Sequence, residues 1–418
     1  MQSIDTEKKT IKDVLRAIIW NSGGFGFYLA CKWSLTILVV RLSTGFDDAG
    51  YLSLAISVSN IFYWIAAYGV RNYQVSDIKN EHKTDAYISA RCLTTLAAQL
   101  LCIIFCMAFY GFDKRSVIVI IYMLLMSGEA FSDVLQGVAQ RHWRMDIVGT
   151  SFFIRGLVLI ASFIVLYLYL GLAVALLGSS VMTLVVIYLY DIRKVNKVET
   201  IYFKAPWKDM FPLLKKCFPL MLVNISLVLF ISLARIILEN TYDDIFILGI
   251  FSSATVPAAI LFAVASFVFI PYINVLSESF GDADYKKFVK QFLLICGIII
   301  VFVILSIIVS VTIGGFLLSV LFGEEIKEYS YLLTEALISS GLMSLLWFLI
   351  ATLTIIRKLK VIFAGTLVGL ICCVASASWM FKTFDMSGAN YMQIFGLSVA
   401  LVILLVAFCV YMQRLRKG

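Results

Sequence analysis

The stretch whose reading decides the fold is VIVIIYMLLMSGEAFSDVLQGVAQRHWRM, Val117–Met145. Its first half is almost wholly apolar and reads as the entry of a membrane-spanning helix. Its second half sets Glu129, Asp133, Gln136 and Gln140 at intervals of four, three and four, then closes on Arg141, His142 and Arg144. Those intervals align the four polar side chains in one stripe along a helix. A carboxylate facing lipid at the bilayer centre costs at least ~2.5 kcal/mol. The stripe therefore faces protein or a wet cavity.

The rest of the chain fits a membrane setting. Of 418 residues 61% are hydrophobic and only 14% are charged, and the mean hydropathy is +0.97. Apolar runs of about 20 residues recur from end to end, each long enough to cross about 30 Å of hydrocarbon. Their continuity, without alternation, excludes a β-barrel. The net charge of +8 sits in short loops beside the spans, where it sets orientation and attracts anionic headgroups; no nucleic-acid partner is expected. The nine cysteines lie in or beside apolar runs without a CxxC, and there are two histidines, so neither a disulfide framework nor a metal site is expected. No cleavable signal is expected at the N-terminus. No phosphate-binding loop, nucleophile elbow or metalloprotease motif occurs in a supporting context. We expect no enzyme and no cofactor.

The apolar runs give twelve spans: Ile18–Val40, Tyr51–Val70, Ile88–Phe109, Val117–Ala139, Ile147–Tyr169 and Leu172–Tyr190, then Pro212–Leu238, Ile245–Ile273, Phe288–Ile313, Tyr331–Ile355, Val361–Phe381 and Gln393–Met412. One side of the membrane collects 25 lysines and arginines and the other 6. By the positive-inside rule both termini are cytoplasmic. The polar segment between spans 6 and 7 divides the chain into an N-terminal lobe (1–190), a linker (191–211) and a C-terminal lobe (212–418).

The halves read as parallel repeats. Asn21 and Lys32 in span 1 stand eleven residues apart, as do Asn224 and Arg235 in span 7. Eleven residues are close to three helical turns, so each pair shares a face. Gly23, Gly24 and Gly26 in span 1, with Pro219 and Pro257 in spans 7 and 8, are candidate hinges.

Depth limits which intramembrane charges can meet. At 1.5 Å per residue, Asp133 and Arg155 lie roughly 12–17 Å from the cytoplasmic edge, and Glu129 and Lys32 roughly 18–21 Å. We expect Asp133 to pair with Arg155, and Glu129 either to pair with Lys32 or to serve, with Asp133, in coupling to protons or sodium. Lys32, Arg155, Arg235 and Arg91, with Asn21, Asn224 and Gln136, are the candidate contacts for an anionic headgroup, because the cations match or exceed the acids.

Three stretches carry a family resemblance. GVRNYQVSDIKNEHKTDAYISAR (Gly69–Arg91), LQGVAQRHWRMDIVG (Leu135–Gly149) and LLSVLFGEEIKEYSYLL (Leu317–Leu333) resemble the corresponding segments of Wzx-type bacterial polysaccharide flippases. The resemblance implies the MATE/MOP flippase superfamily, with two six-helix lobes around a central cavity. It implies transfer of undecaprenyl-diphosphate-linked repeat units from the cytoplasmic to the periplasmic leaflet of the bacterial inner membrane, for O-antigen or capsule. A polysaccharide polymerase and chain-length machinery are the implied partners. Related lipid II flippases hold the diphosphate with arginines near the start of the chain. This sequence has no arginine within span 1 proper, and Lys32 is the nearest equivalent.

Two other readings compete. A MATE-type exporter of organic cations also needs twelve spans and membrane carboxylates, but prefers net negative charge. A polyprenyl-dependent glycosyltransferase or polymerase would use an external acidic pair such as Asp47-Asp48, yet that loop is too short to form an acceptor site.

Overall fold

The computed structural model describes residues 11–77 and 81–417. Fourteen α-helices follow one another, with no strand among the described residues: α1 (Ile11–Leu42), α2 (Asp47–Ala67), α3 (Val70–Ser76), α4 (Thr84–Phe109), α5 (Lys114–Arg141), α6 (Met145–Val186), α7 (Arg193–Asn196), α8 (Trp207–Tyr242), α9 (Ile245–Thr255), α10 (Ala258–Gly281), α11 (Tyr285–Phe322), α12 (Ser330–Ile355), α13 (Leu359–Phe384) and α14 (Gly388–Lys417). Ten helical stretches among the described residues are long and apolar enough to cross a bilayer. Two of these are long enough for two crossings each. One breaks within α6 at Gly171, where φ is +76°, a conformation that glycine adopts without a side-chain clash. The other breaks between α13 and α14 at Asp385–Ser387. These breaks are compatible with the twelve spans expected.

The helices gather into two compact units. The first holds the chain up to Leu38 and then Val58–Met221; the second holds Val39–Ser57 and everything from Leu222 on. Contact thus divides the chain at Met221, beyond the polar linker, and assigns the tip of the α1–α2 hairpin to the second unit.

In the first unit Tyr87, Val134, Val138, Val148, Ile187 and Leu213 build a fully buried core. The linker is stitched to the start of α4. The backbone N–H of Tyr202 donates to Asp85, that of Ala205 to Ser89, and Thr84 donates to Glu199. Ile201 is buried against the core, so this polar connection is a packed strap. After α2 the chain reverses through two left-handed residues, Tyr68 and Gly69, and α3 folds back toward α5. The turn after α3 is held by Asp77, which accepts hydrogen bonds from the backbone of Glu81 and His82 and from the Tyr87 hydroxyl. Burial alone would raise the Asp77 carboxyl, but these bonds and the charge of Arg141 outweigh it and hold the group below the usual carboxylate range.

In the second unit Phe288, Phe292, Phe348 and Phe408 pack as an aromatic core, with Phe292 4.6 Å from Phe408 and 5.4 Å from Phe348 between ring centroids. The outer face of α11 is apolar and uncovered (Val301, Ile304, Leu305 and Ile308 are exposed), as expected of a lipid-facing surface. The hairpin tip is seated on this unit by reciprocal backbone contact. A Cβ on Gly50 would stand 1.9 Å from the Ile245 carbonyl oxygen, and one on Gly249 would stand 1.9 Å from that of Phe46. Arg41 completes the attachment by donating to the carbonyls of Ser319, Val320 and Leu321 at the end of α11. Neither glycine can acquire a methyl group without moving backbone. Gly50→Ala and Gly249→Ala should each destabilise the purified protein by about 1–3 kcal/mol. Thermal unfolding in detergent checks this; an unchanged midpoint in both variants would show that the hairpin does not need this approach.

Candidate functional site

The polar stripe of α5 faces inward and is fully engaged. At its deep end Glu129 accepts from Lys32 Nζ at 3.0 and 3.2 Å and from the Tyr28 hydroxyl at 2.7 Å. Lys32 and Glu129 side chains are 20% and 13% exposed, so the pair is largely sheltered. The pairing expected from depth is present. Tyr28 and Lys32 belong to the α1 stripe, one helical turn apart, which is why both reach one carboxylate.

Asp133 does not pair with Arg155. It binds two other guanidinium groups, Arg71 at 3.0 Å and Arg91 at 2.8 Å. Arg91 is completely buried on α4 and also donates to the Ala66 carbonyl at the end of α2. Arg71 comes from α3. It donates in addition to Gln136 at 3.2 Å and to Gln140 at 3.0 Å, so it serves three of the four stripe residues. Hydropathy leaves Arg71 just beyond span 2 and does not show that the turn at Tyr68–Gly69 returns the chain to α5. The surviving signal is local: an arginine two residues after a glycine at the end of a span. Beside Arg71, Gln74 is completely buried against Gly137, whose Cβ would stand 2.1 Å from the Gln74 side-chain oxygen.

Arg155 has a different environment. It is 1% exposed, and its guanidinium carbon lies 5.1 Å from the Tyr28 ring centroid and 4.9 Å from that of Phe152. Such stacking recovers part of the lost hydration of a guanidinium. The nearby charge is Asp191, a buried carboxylate on a π-helical turn, Ile187–Ile192. Asp191 accepts from Ser132 at 2.7 Å, and Ser132 accepts from Gln136 at 3.2 Å. Asp191 is the first residue of the linker expected from the sequence. The wide turn keeps it pointing into the bundle.

The first unit therefore contains one connected polar cluster. It runs from Lys32 and Glu129 through Tyr28 and Arg155 to Asp191, Ser132 and Gln136, and on to Arg71, Asp133 and Arg91. Four cations face three carboxylates there, leaving one excess positive charge. Lys32 and Arg91 are held by carboxylates and present no free charge in this state. Asn21 is half-buried on α1 close to Gly149. Gly24 is a contact glycine, since its Cβ would stand 2.2 Å from the Gly149 carbonyl oxygen, whereas Gly23 and Gly26 have open space beside them. The helix α1 runs unbroken through all three, and α8 through Pro219.

The second unit holds the remaining candidates. Pro257 stands at the break between α9 and α10, where Ser340 donates to the Ala258 carbonyl at 2.7 Å. Asn224 is buried with its amide nitrogen unsatisfied. Arg235 makes no hydrogen bond, ion pair or ring contact with any described residue and lines a cavity of about 130 Å³. Lys32 and Arg235, matched in sequence spacing, thus differ in state: one is neutralised, the other is open. Among the described residues no cluster of side chains could hold a metal ion.

No protein-family model matches the chain. It is 25% identical over 383 residues, 89% of this chain and 93% of the relative, to the capsular polysaccharide biosynthesis protein CapF of Staphylococcus aureus. Its structure is similar to the inward-facing conformation of a multidrug resistance MATE family transporter of the MOP superfamily, with a TM-score of 0.69 at 14% identity over 92% of this chain and 95% of that one. The outward-facing conformation of such a transporter matches with a TM-score of 0.63 at 14% identity, over 98% and 100%. The chain shares the all-helical, multi-pass membrane fold of these transporters, the fold that the resemblance read from the sequence implies.

Breaking one partner of a sheltered ion pair leaves the other charge uncompensated, so loss of both should cost less than loss of one. Lys32→Met should destabilise the protein by roughly 3 kcal/mol, with more than half recovered in Lys32→Met/Glu129→Gln. Unfolding of the three proteins in detergent measures it. Strictly additive losses would contradict the pairing.

Proposed function

We propose that this chain flips lipid-linked oligosaccharide repeat units across the bacterial plasma membrane, from the cytoplasmic to the periplasmic leaflet, for assembly of a capsule or a related surface polysaccharide. The observation that carries the reading is the near full-length likeness to a capsular polysaccharide biosynthesis protein on a MATE/MOP transporter fold. The physical need is plain, because a sugar-diphosphate head cannot enter hydrocarbon without an extreme desolvation penalty. A protein path can shelter the head while the polyprenyl tail stays among the lipids.

Alternating access of the two six-helix lobes, 1–190 and 212–418, supplies that path, with bending at Gly23, Gly26, Pro219 and Pro257. Both termini face the cytoplasm on the 25-to-6 distribution of basic residues. Of the candidate headgroup side chains, Arg235 and Asn224 belong to the second unit, and Gln136, Lys32, Arg91 and Arg155 belong to the first, where the cluster must rearrange to free them. Energy enters at Glu129, where a proton or sodium ion competes with Lys32 for the carboxylate. Protonation of Glu129 leaves the Lys32 ammonium without its counter-charge and ready for a diphosphate, which links ion binding to cargo binding. The net positive balance of the cluster favours this cargo over the organic cations of a multidrug exporter.

Deletion of the gene should abolish surface polysaccharide and accumulate lipid-linked repeat units on the cytoplasmic leaflet, with drug sensitivity unchanged. Altered drug tolerance with intact polysaccharide would turn the assignment to the exporter reading. In proteoliposomes carrying a labelled lipid-linked oligosaccharide, Glu129→Gln should reduce gradient-driven flipping roughly tenfold. An unaltered response to both pH and sodium gradients would remove Glu129 from the coupling step.

A further inference from the structure

Of the spanning helices α11 is the most apolar, yet its uncovered face is not smooth. A groove of about 490 Å³ runs along it from Leu293 to Leu305, walled by Leu294, Val301 and Phe302 around Gly297. A Cβ placed on Gly297 would meet nothing within 4 Å. The missing side chain opens the groove, between neighbours one helical turn away on either side.

The groove leads back to charge. Positions 286, 290, 293, 297, 301 and 305 follow one another at steps of four, three, four, four and four, which is one stripe along a helix. Lys286 and Lys290 therefore stand on the face that carries the groove, and Lys287 flanks them. All three lysines are exposed, and none of their ammonium groups has a hydrogen bond or ion pair with a described residue. Asp284, the closest acid along the chain, is spent as the helix cap, accepting from the Lys287 backbone N–H at 2.9 Å. No further acid occurs before Glu324.

We propose that this face of α11 seats one anionic phospholipid, its phosphate among Lys286, Lys287 and Lys290 and one acyl chain in the groove over Gly297. Unpaired lysines at the edge of an apolar layer attract anionic headgroups, and here they stand at the mouth of a concave apolar track. The track covers twelve residues of rise, roughly 18 Å, a little more than half of about 30 Å of hydrocarbon. A chain that starts at the lysines thus ends near the midplane, as the tail of a single-leaflet lipid does. A helix from a second copy would press along both leaflets, and a long polyprenyl chain would overrun the track. On the orientation proposed above the lipid belongs to the cytoplasmic leaflet. The seat is independent of the cargo.

The test titrates the purified full chain in a neutral detergent and follows thermal unfolding. The probes are dioleoyl phosphatidylglycerol, dioleoyl phosphatidylcholine, glycerol phosphate and farnesyl phosphate. Phosphatidylglycerol should raise the midpoint saturably, at concentrations about tenfold below those needed for phosphatidylcholine. Glycerol phosphate, a headgroup without a tail, should leave it unchanged. Gly297→Leu fills the groove in open space and replaces a poor helix former, so its lipid-free midpoint should stay level or rise. Its response to phosphatidylglycerol should weaken about tenfold. Lys286→Gln/Lys290→Gln should reduce the phosphatidylglycerol response to that of phosphatidylcholine, and these exposed positions carry the test alone where Gly297→Leu does not fold. Equal responses to the two phospholipids, or a phosphatidylglycerol response that neither variant alters, would overturn the proposal. A stronger response to farnesyl phosphate would hand the groove to an isoprenoid, and a response to glycerol phosphate would hand the lysines to a soluble anion. A dimer in light scattering that Gly297→Leu dissolves would assign the face to a second copy. Each of these three results also overturns it.

Discussion

Hydrocarbon offers no water to a charged side chain, and that single constraint organises the first unit. Every ionised group carried into the bilayer there must be met by another group of the same protein. The α5 stripe meets the requirement by drawing partners from four other places: Lys32 and Tyr28 on α1, Arg71 on α3, Arg91 on α4, and the Ser132–Asp191 link to the π turn after α6. The packing of the surrounding helices follows from where these partners have to stand. Gly137 lies under Gln74 and Gly24 against Gly149 because neighbouring elements must come close enough for the polar groups to touch.

A cluster built this way is held together and yet easily altered. Removing or adding one charge affects several helices, because Asp133 is shared by two arginines and Glu129 by a lysine and a tyrosine. Tyr28 is the joint between the two ends: its hydroxyl serves Glu129 while its ring lies under Arg155.

Much of this was legible in the sequence, and the reasons differ by residue. The spans were visible because apolar runs of sufficient length have one stable fate in a bilayer. That Lys32 could meet Glu129 was readable from helical rise, since both lie at one depth on polar stripes, but the same depth left an ion-coupling role for Glu129 open. The partner of Asp133 was misread because depth gives height and no azimuth: Arg155 stands at the right height on α6 but turns to Tyr28 and Phe152. Arg71 and Asp191 were hidden by their position just outside apolar runs. A left-handed turn returns the first to the bundle and a π turn keeps the second in it. Arg235 was identified as a charge, but its solitude and its cavity depend on the packing of five helices and leave no trace in spacing.

The length of α11 has a consequence for the hairpin tip. Its 38 residues extend about 57 Å, nearly twice the thickness of the apolar layer, and even a 40° tilt leaves a substantial part outside. The carbonyls of its last turn have no following turn of helix to use them, and of these only that of Ser319 is taken by the closing Gly323 N–H. Arg41 docks on these carbonyls, so a planar guanidinium with several donors fastens the tip of the α1–α2 hairpin to the end of α11. The overhang turns a helix end into a mooring post, placed where fastening and release are both inexpensive.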